Sequence, residues 1–203
     1  MVYHSFLLDA GAPTEPTATA REMLSRKYGL TLEQAGEKQA AVIAMAAELG
    51  MDWRKHHESP HVGTVDAHRL LHLALAEGGP LQQAELKDAL LQAYFGDARN
   101  VADHAVLREV ALGVGLEAAR VDAVLGSEEY AADVAADIAQ ARAFGATGVP
   151  FFVVDDKYGV SGAQPTELFN QLLERAWTEH RPVLETVPGA TVAEACGPDG
   201  CPV

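Results

Sequence analysis

The sequence predicts an α/β fold, a small strand-bearing core interrupted by a large all-helical insertion. Three observations carry this. Val2-Tyr3-His4-Ser5-Phe6-Leu7-Leu8 alternates and is rich in strand formers. Residues 18–144 hold helix caps, glycine stops and apolar periodicity, with no strand-like run. Phe151-Phe152-Val153-Val154 and Tyr158-Gly159-Val160-Ser161 then read as the two strands of a hairpin, with a final helix behind them.

In chain order, Val2 to Leu8 is the first expected strand, and Asp9 to Thr17, with Pro13 and Pro16, is a loop. A helix from about Ala18 to Tyr28 is closed by Gly29. Thr31 caps the next helix, with Gln34 completing a capping box and Gly50 ending it. Met51 to Gly63 is irregular and carries His56, His57 and His61. Thr64 opens a helix through Leu70, Leu71, Leu73 and Leu75 to Gly78-Gly79. Pro80 begins another that runs to Phe95. Asp103 caps a helix through Val110, short helices follow to about Gly126, and Ser127 starts an Ala-rich helix ending at Phe144-Gly145. Asp155-Asp156-Lys157 turns the hairpin. Pro165 stands at the start of the last helix, through Leu168, Leu172 and Trp177, and a loosely held tail follows from Arg181. The aromatic residues Phe95, Phe144, Phe151, Phe152, Phe169 and Trp177 are expected in the core.

Composition narrows the function classes. A net charge of -14 argues against nucleic acid, whose phosphates would repel the chain, and no cluster of Lys and Arg with interleaved aromatics is present. No apolar run reaches membrane-spanning length, and the N-terminus lacks a basic-then-apolar leader pattern, so a cytoplasmic location is expected. The two cysteines do not make a disulfide framework in a chain of this length.

Two features carry chemistry. Thr147-Gly148-Val149-Pro150 ends just before a buried strand. A cis Val149-Pro150 bond there would leave the N–H and C=O of Val149 free to pair with an extended peptide, and the other reading is a plain strand-initiating proline. Cys196-Gly-Pro-Asp-Gly-Cys201 contains a strong turn signal that brings two thiols within bonding range. Closing so short a loop stabilises by only about 2 kcal/mol. Redox activity, inert tail thiols and half of a zinc site all stay open for this pair. His68 and His72 stand four apart, a metal-pair spacing, but the intervening Arg-Leu-Leu supplies no Glu and no third ligand is fixed. The expectation is no metal and no cofactor.

The stretches Thr147-Gly-Val-Pro-Phe-Phe-Val-Val and Tyr158-Gly-Val-Ser-Gly-Ala-Gln-Pro165 resemble the C-terminal half of DsbA-like thioredoxin-fold oxidoreductases, in particular the FrnE-like branch. Ser5-Phe-Leu-Leu-Asp9 and Asp66-Ala-His-Arg-Leu-Leu-His72 resemble it too. The resemblance implies a thioredoxin-like core in residues 1–17 and 145–180, a helical insertion in 18–144, and a flexible tail in 181–203. It also implies thiol-disulfide exchange with a protein or small-molecule substrate. In that role Gly148, Val149 and Pro150 bind the substrate, with Pro150 as the cis-proline, and Cys196 and Cys201 form an accessory redox pair. Members carry a Cys-Pro-Trp-Cys-type motif after a first, central strand, and this sequence has no cysteine before Cys196. The expectation is therefore a chain lacking that strand and motif, through a misplaced start or a truncation, and weakly active or inactive as given. The tail or a second chain, as in a homodimer, is the remaining way to fill the gap. A glutathione-dependent kappa-type transferase or isomerase and a non-catalytic peptide-binding module are the alternatives. Relatives carry Asn-Thr ahead of the Asp-Ala-x-Arg helix, where this chain has Gly63-Thr64.

Overall fold

The structure, a computed structural model, describes residues 1–180. It divides into two compact units, Met1–Val149 and a second that begins at Pro150.

The first unit is helical because its punctuation is strong. Thr19 caps α1 (Ala20–Tyr28), and its side chain and that of Glu22 satisfy each other's backbone N–H. Gly29, at φ 63°, closes that helix where a side chain would be strained. Thr31 and Gln34 repeat the capping box on α2 (Leu32–Glu48). A 3-10 turn at His56–Glu58 leads to α3 (Val65–Leu91), which passes into a π-helical turn at Gln92–Gly96. Gly79 breaks α3 at φ 72° and ψ -169°, a region essentially open to glycine alone, and Pro80 begins the second stretch. The two helices expected on either side of Gly79 are thus present. Asp103 caps α4 (His104–Gly113) by accepting from the Ala105 N–H at 2.7 Å, and α5 (Ala118–Leu125) follows.

The core sits among α3, α4 and α5. Leu70 and Leu73 come from one side of the α3 break and Leu86 from the other, and all three are fully buried with Leu107, Val121 and Val124. Each such side chain contributes about 1.5–3 kcal/mol of apolar burial. The buried Arg69 guanidinium closes the loop after α5. Nε donates to the Glu129 carbonyl at 2.8 Å, Nη1 donates to Asp66 at 2.8 Å, and Nη2 donates to the carbonyls of Val124 and Ser127.

Two expectations need correction here. Val2 to Leu8 belongs to no strand among the described residues. Its backbone is met by side chains instead: the Gln83 amide accepts from Tyr3 N–H at 2.9 Å and donates to Tyr3 C=O at 2.8 Å. The Ala-rich helix α6 (Ala131–Ala143) begins four residues after Ser127, behind Tyr130 at φ 64°. Ser127 Oγ donates to the Ala123 carbonyl at 2.7 Å, so this serine finishes the turn of α5 rather than starting α6.

The second unit holds β1 (Phe151–Val154), β2 (Tyr158–Ser161) and α7 (Thr166–His180). The strands pair antiparallel, with Phe151 opposite Ser161 and Val154 opposite Tyr158. Asp155 and Asp156 take φ 53° and 50°, the twist that suits a tight hairpin and that aspartate tolerates. Phe152 meets Phe169 edge-on at 4.8 Å between ring centroids, fixing α7 on the sheet. Glu179 binds the hairpin to α7, accepting from Tyr158 Oη at 2.5 Å, from Lys157 and from Arg175 Nε at 2.9 Å. These donors, Lys157 first, hold its carboxyl at about 2. The expected core placement fails for Phe144 and Trp177, which are 41% and 67% exposed. Trp177 lines a shallow apolar groove with Leu173 and Val154 rather than packing under the sheet.

Candidate functional site

The loop before β1 is set by how α6 stops. Ala146 N–H donates to the Ala141 carbonyl at 2.9 Å and Gly145 N–H to that of Arg142 at 3.0 Å, with Gly145 at φ 79°. This paired closure ends α6 and satisfies carbonyls of its last turn ahead of Thr147. Pro150 C=O is already committed, accepting from Gly162 N–H at 2.8 Å. Val149 differs: it is 53% exposed, and among the described residues its backbone takes no hydrogen bond. Gly148 has open space where a side chain would stand. Two residues ahead of β1, the Val149 backbone N–H and C=O thus have no partner among the described residues. Cys196 and Cys201 lie outside the described residues.

A second polar constellation lies within the first unit, and sequence reasoning gave Asp137 no part. Asp137, 8% exposed, bonds to His4 Nδ1 at 2.7 Å, accepts from the Ser5 backbone N–H at 2.7 Å and lies 3.1 Å from His72 Nε2. Burial pushes its carboxyl up, but the His4 and Ser5 hydrogen bonds outweigh it and leave the group below the usual carboxylate range. Ser5 Oγ also lies 3.2 Å from His72 Nε2. This is not a hydrolase triad. Serine and aspartate meet the same ring nitrogen, so the imidazole cannot pass a proton from one to the other. The legible signal was position: Asp137 is three residues from Val134, and these two are the buried residues of α6.

The other histidines expected as candidate ligands are dispersed. His61 Nε2 pairs with Asp9 at 3.1 Å, His57 Nε2 lies 3.3 Å from Glu58, and His56 packs against the stacked rings of Trp53 and Phe95. Burial lowers His68 to about 4, and His72 one turn away adds to the shift. No group of three or more His, Cys, Asp or Glu residues able to hold a metal ion occurs among the described residues. Thr64 stands at the start of α3 without a capping bond from its side chain. No helix among the described residues is long and apolar enough to cross a membrane.

Residues 1–174 match the DSBA-like thioredoxin domain family. Among solved structures, the crystal structure of a probable DsbA oxidoreductase from Streptomyces coelicolor is similar. It is 44% identical with a TM-score of 0.80, and the match covers 98% of this chain and 82% of that one. No curated protein matches.

Proposed function

The chain belongs to the DSBA-like thioredoxin domain family, and we propose that it takes part in thiol-disulfide exchange. In this reading Gly148, Val149 and Pro150 hold an extended segment of the substrate, a protein or small-molecule thiol or disulfide. The half-exposed Val149 backbone, free of hydrogen bonds among the described residues, is the observation that carries it. Cys196 and Cys201 act as an accessory pair. The thiolate of one attacks a substrate disulfide and forms a mixed disulfide. The thiolate of the other then displaces the substrate thiol, leaving a Cys196–Cys201 disulfide and a reduced substrate. In this reading the protein is cytoplasmic, and residues 1–17 and 145–180 are parts of one thioredoxin-like core with 18–144 inserted.

These 203 residues carry no cysteine before Cys196, so by themselves they are proposed to turn over slowly. Thiol titration before and after reduction tests the pair: the oxidised chain should titrate none and the reduced chain two. Two free thiols in both states would end the exchange reading. Insulin reduction at the rate of an intact thioredoxin-fold enzyme would end the expectation of slow turnover. The half-exposed Val149 backbone also supports a second reading, a peptide-binding module without catalysis. Peptide binding left unchanged by Cys196→Ser with Cys201→Ser would select it.

A further inference from the structure

A cleft of about 440 Å³ opens between the loop after Leu8, α1 and His61. Its size lies within the ~300–1,000 Å³ of small-molecule sites. Backbone hydrogen bonds tie its walls together. Gly63 N–H donates to the Pro13 carbonyl at 2.8 Å, His61 N–H to that of Ala18 at 2.9 Å, and Ala20 N–H to that of Ser59 at 2.7 Å. A ligand therefore need not order the walls as it binds.

Charge decides what the cleft can take. Arg26 and Lys27, in the last turn of α1, line it. Arg54, Arg69, Arg99, Arg108, Arg120 and Arg175 each meet a carboxylate at 2.6–2.9 Å. Arg26 and Lys27 meet none among the described residues. The nearby carboxylates are already engaged. Glu22, one turn before Arg26, accepts from Thr19 N–H at 2.7 Å. Asp9, the one acidic residue lining the cleft, has Oδ2 at 3.1 Å from His61 Nε2 and accepts from Gly11 N–H at 3.0 Å through Oδ1. Cations in a last turn also suit the negative end of the helix, which accounts for their place on α1 but not for the cleft they border.

A guanidinium takes carboxylate or phosphate oxygens through two parallel N–H bonds, and an ammonium adds a point charge. Pro13, Ala18 and Met23 supply apolar wall beside these cations. We propose that this cleft binds a small organic anion, a carboxylate or phosphate group on a short apolar body. Arg26 and Lys27 hold the anionic oxygens, and Pro13, Ala18 and Met23 flank the body. The chain carries a net charge of -14, so its overall field repels anions, and binding here reports the local cations. The site uses neither the cysteines nor Val149 and is independent of the exchange reading.

NMR titration of the full chain with benzoate, phenyl phosphate and neutral benzamide tests this. At least one of the two anions should move the backbone amides of Ala18, Met23, Arg26 and His61 in one saturable step, and benzamide should leave them in place. The tighter anion identifies the group the cleft prefers. Arg26→Gln with Lys27→Gln should weaken that anion about fivefold or more. Both side chains are exposed, so the fold should survive the change. Lys38→Gln with Lys55→Gln removes the same charge outside the cleft and should leave the affinity within about twofold. Three results overturn the site: no saturable shift of those amides with either anion, equal shifts with benzamide, or equal weakening in the two double variants. Should the Arg26, Lys27 variant not fold, the wild-type comparison of anions with benzamide decides.

Discussion

Replacing Arg69 by methionine removes the guanidinium but keeps a long apolar stem. Arg69 is 4% exposed and donates to the carbonyls of Val124, Ser127 and Glu129 as well as to Asp66. Asp66 keeps a partner in His104 Nε2 at 2.7 Å, so it is not stranded. The Val124 carbonyl, in the last turn of α5, also accepts from Ser127 N–H at 3.3 Å. The carbonyls of Ser127 and Glu129, in the turn that follows, have no other partner among the described residues. Orphaning a buried polar group costs about 1–3 kcal/mol, and removing one partner of a buried charged network about 3–5 kcal/mol. The apolar stem of methionine offsets part of this, so a loss of about 3 kcal/mol is expected for Arg69→Met. Arg69→Lys keeps the charge but not the fork, and should recover only part. Urea unfolding followed by far-UV circular dichroism measures both, with the slope unchanged if only stability has moved. A loss under about 1 kcal/mol in Arg69→Met, or a lysine variant equal to wild type, would mean that water serves those carbonyls and the staple is idle.

Two further expectations use the same assay. Leu86→Ala empties a fully buried site at the centre of the core and should cost about 2–5 kcal/mol, with a lower urea midpoint. Gly79→Ala forces a side chain into the φ 72°, ψ -169° conformation and should cost about 1–3 kcal/mol, although a β-carbon there would touch nothing within 4 Å. Full stability in that alanine variant would show that the break in α3 relaxes freely.

Local chemistry was legible, and distant chemistry was not. Thr19, Thr31 and Asp103 cap their helices through residues two or three positions away, and Gly29 stops α1 through its own backbone. Such signals need no knowledge of the rest of the chain. The segment Val2 to Leu8 has the alternation of a strand, but pairing is a property of what lies beside it. What lies beside it is Gln83 and Asp137, 80 and 132 positions away from the residues they bind. Trp177 misled for a related reason. An aromatic residue in an amphipathic helix usually faces the core, yet here the turn-by-turn position of Ala176 points inward and its neighbour does not. In the candidate site, the sequence singles out Val149-Pro150 because a proline ahead of an apolar run has few places to go. Asp137 was hidden by an alanine-rich context that reads as solvated helix.

Backbone accounting separates the two polar regions of this chain. A buried N–H or C=O must find a partner, and an exposed one can wait on water. At Tyr3 and Ser5 the partners are built in: an amide that copies both halves of a strand pairing, and a carboxylate that takes the N–H. Those residues are spent on holding structure, and any ligand there would have to displace a charge-assisted bond. At Val149 no partner is built in among the described residues, and half the residue is open to solvent. An incoming extended chain would exchange water for peptide groups at little desolvation cost, gaining direction from the strand that starts at Phe151. The same bookkeeping assigns the N-terminal segment to stability and supports the recognition role proposed for the Val149 loop. It also means that a Val149→Pro variant, which removes the free N–H while leaving Gln83 and Asp137 in place, should weaken peptide binding without lowering the urea midpoint of the helical unit. A lowered midpoint with binding intact would reverse the assignment.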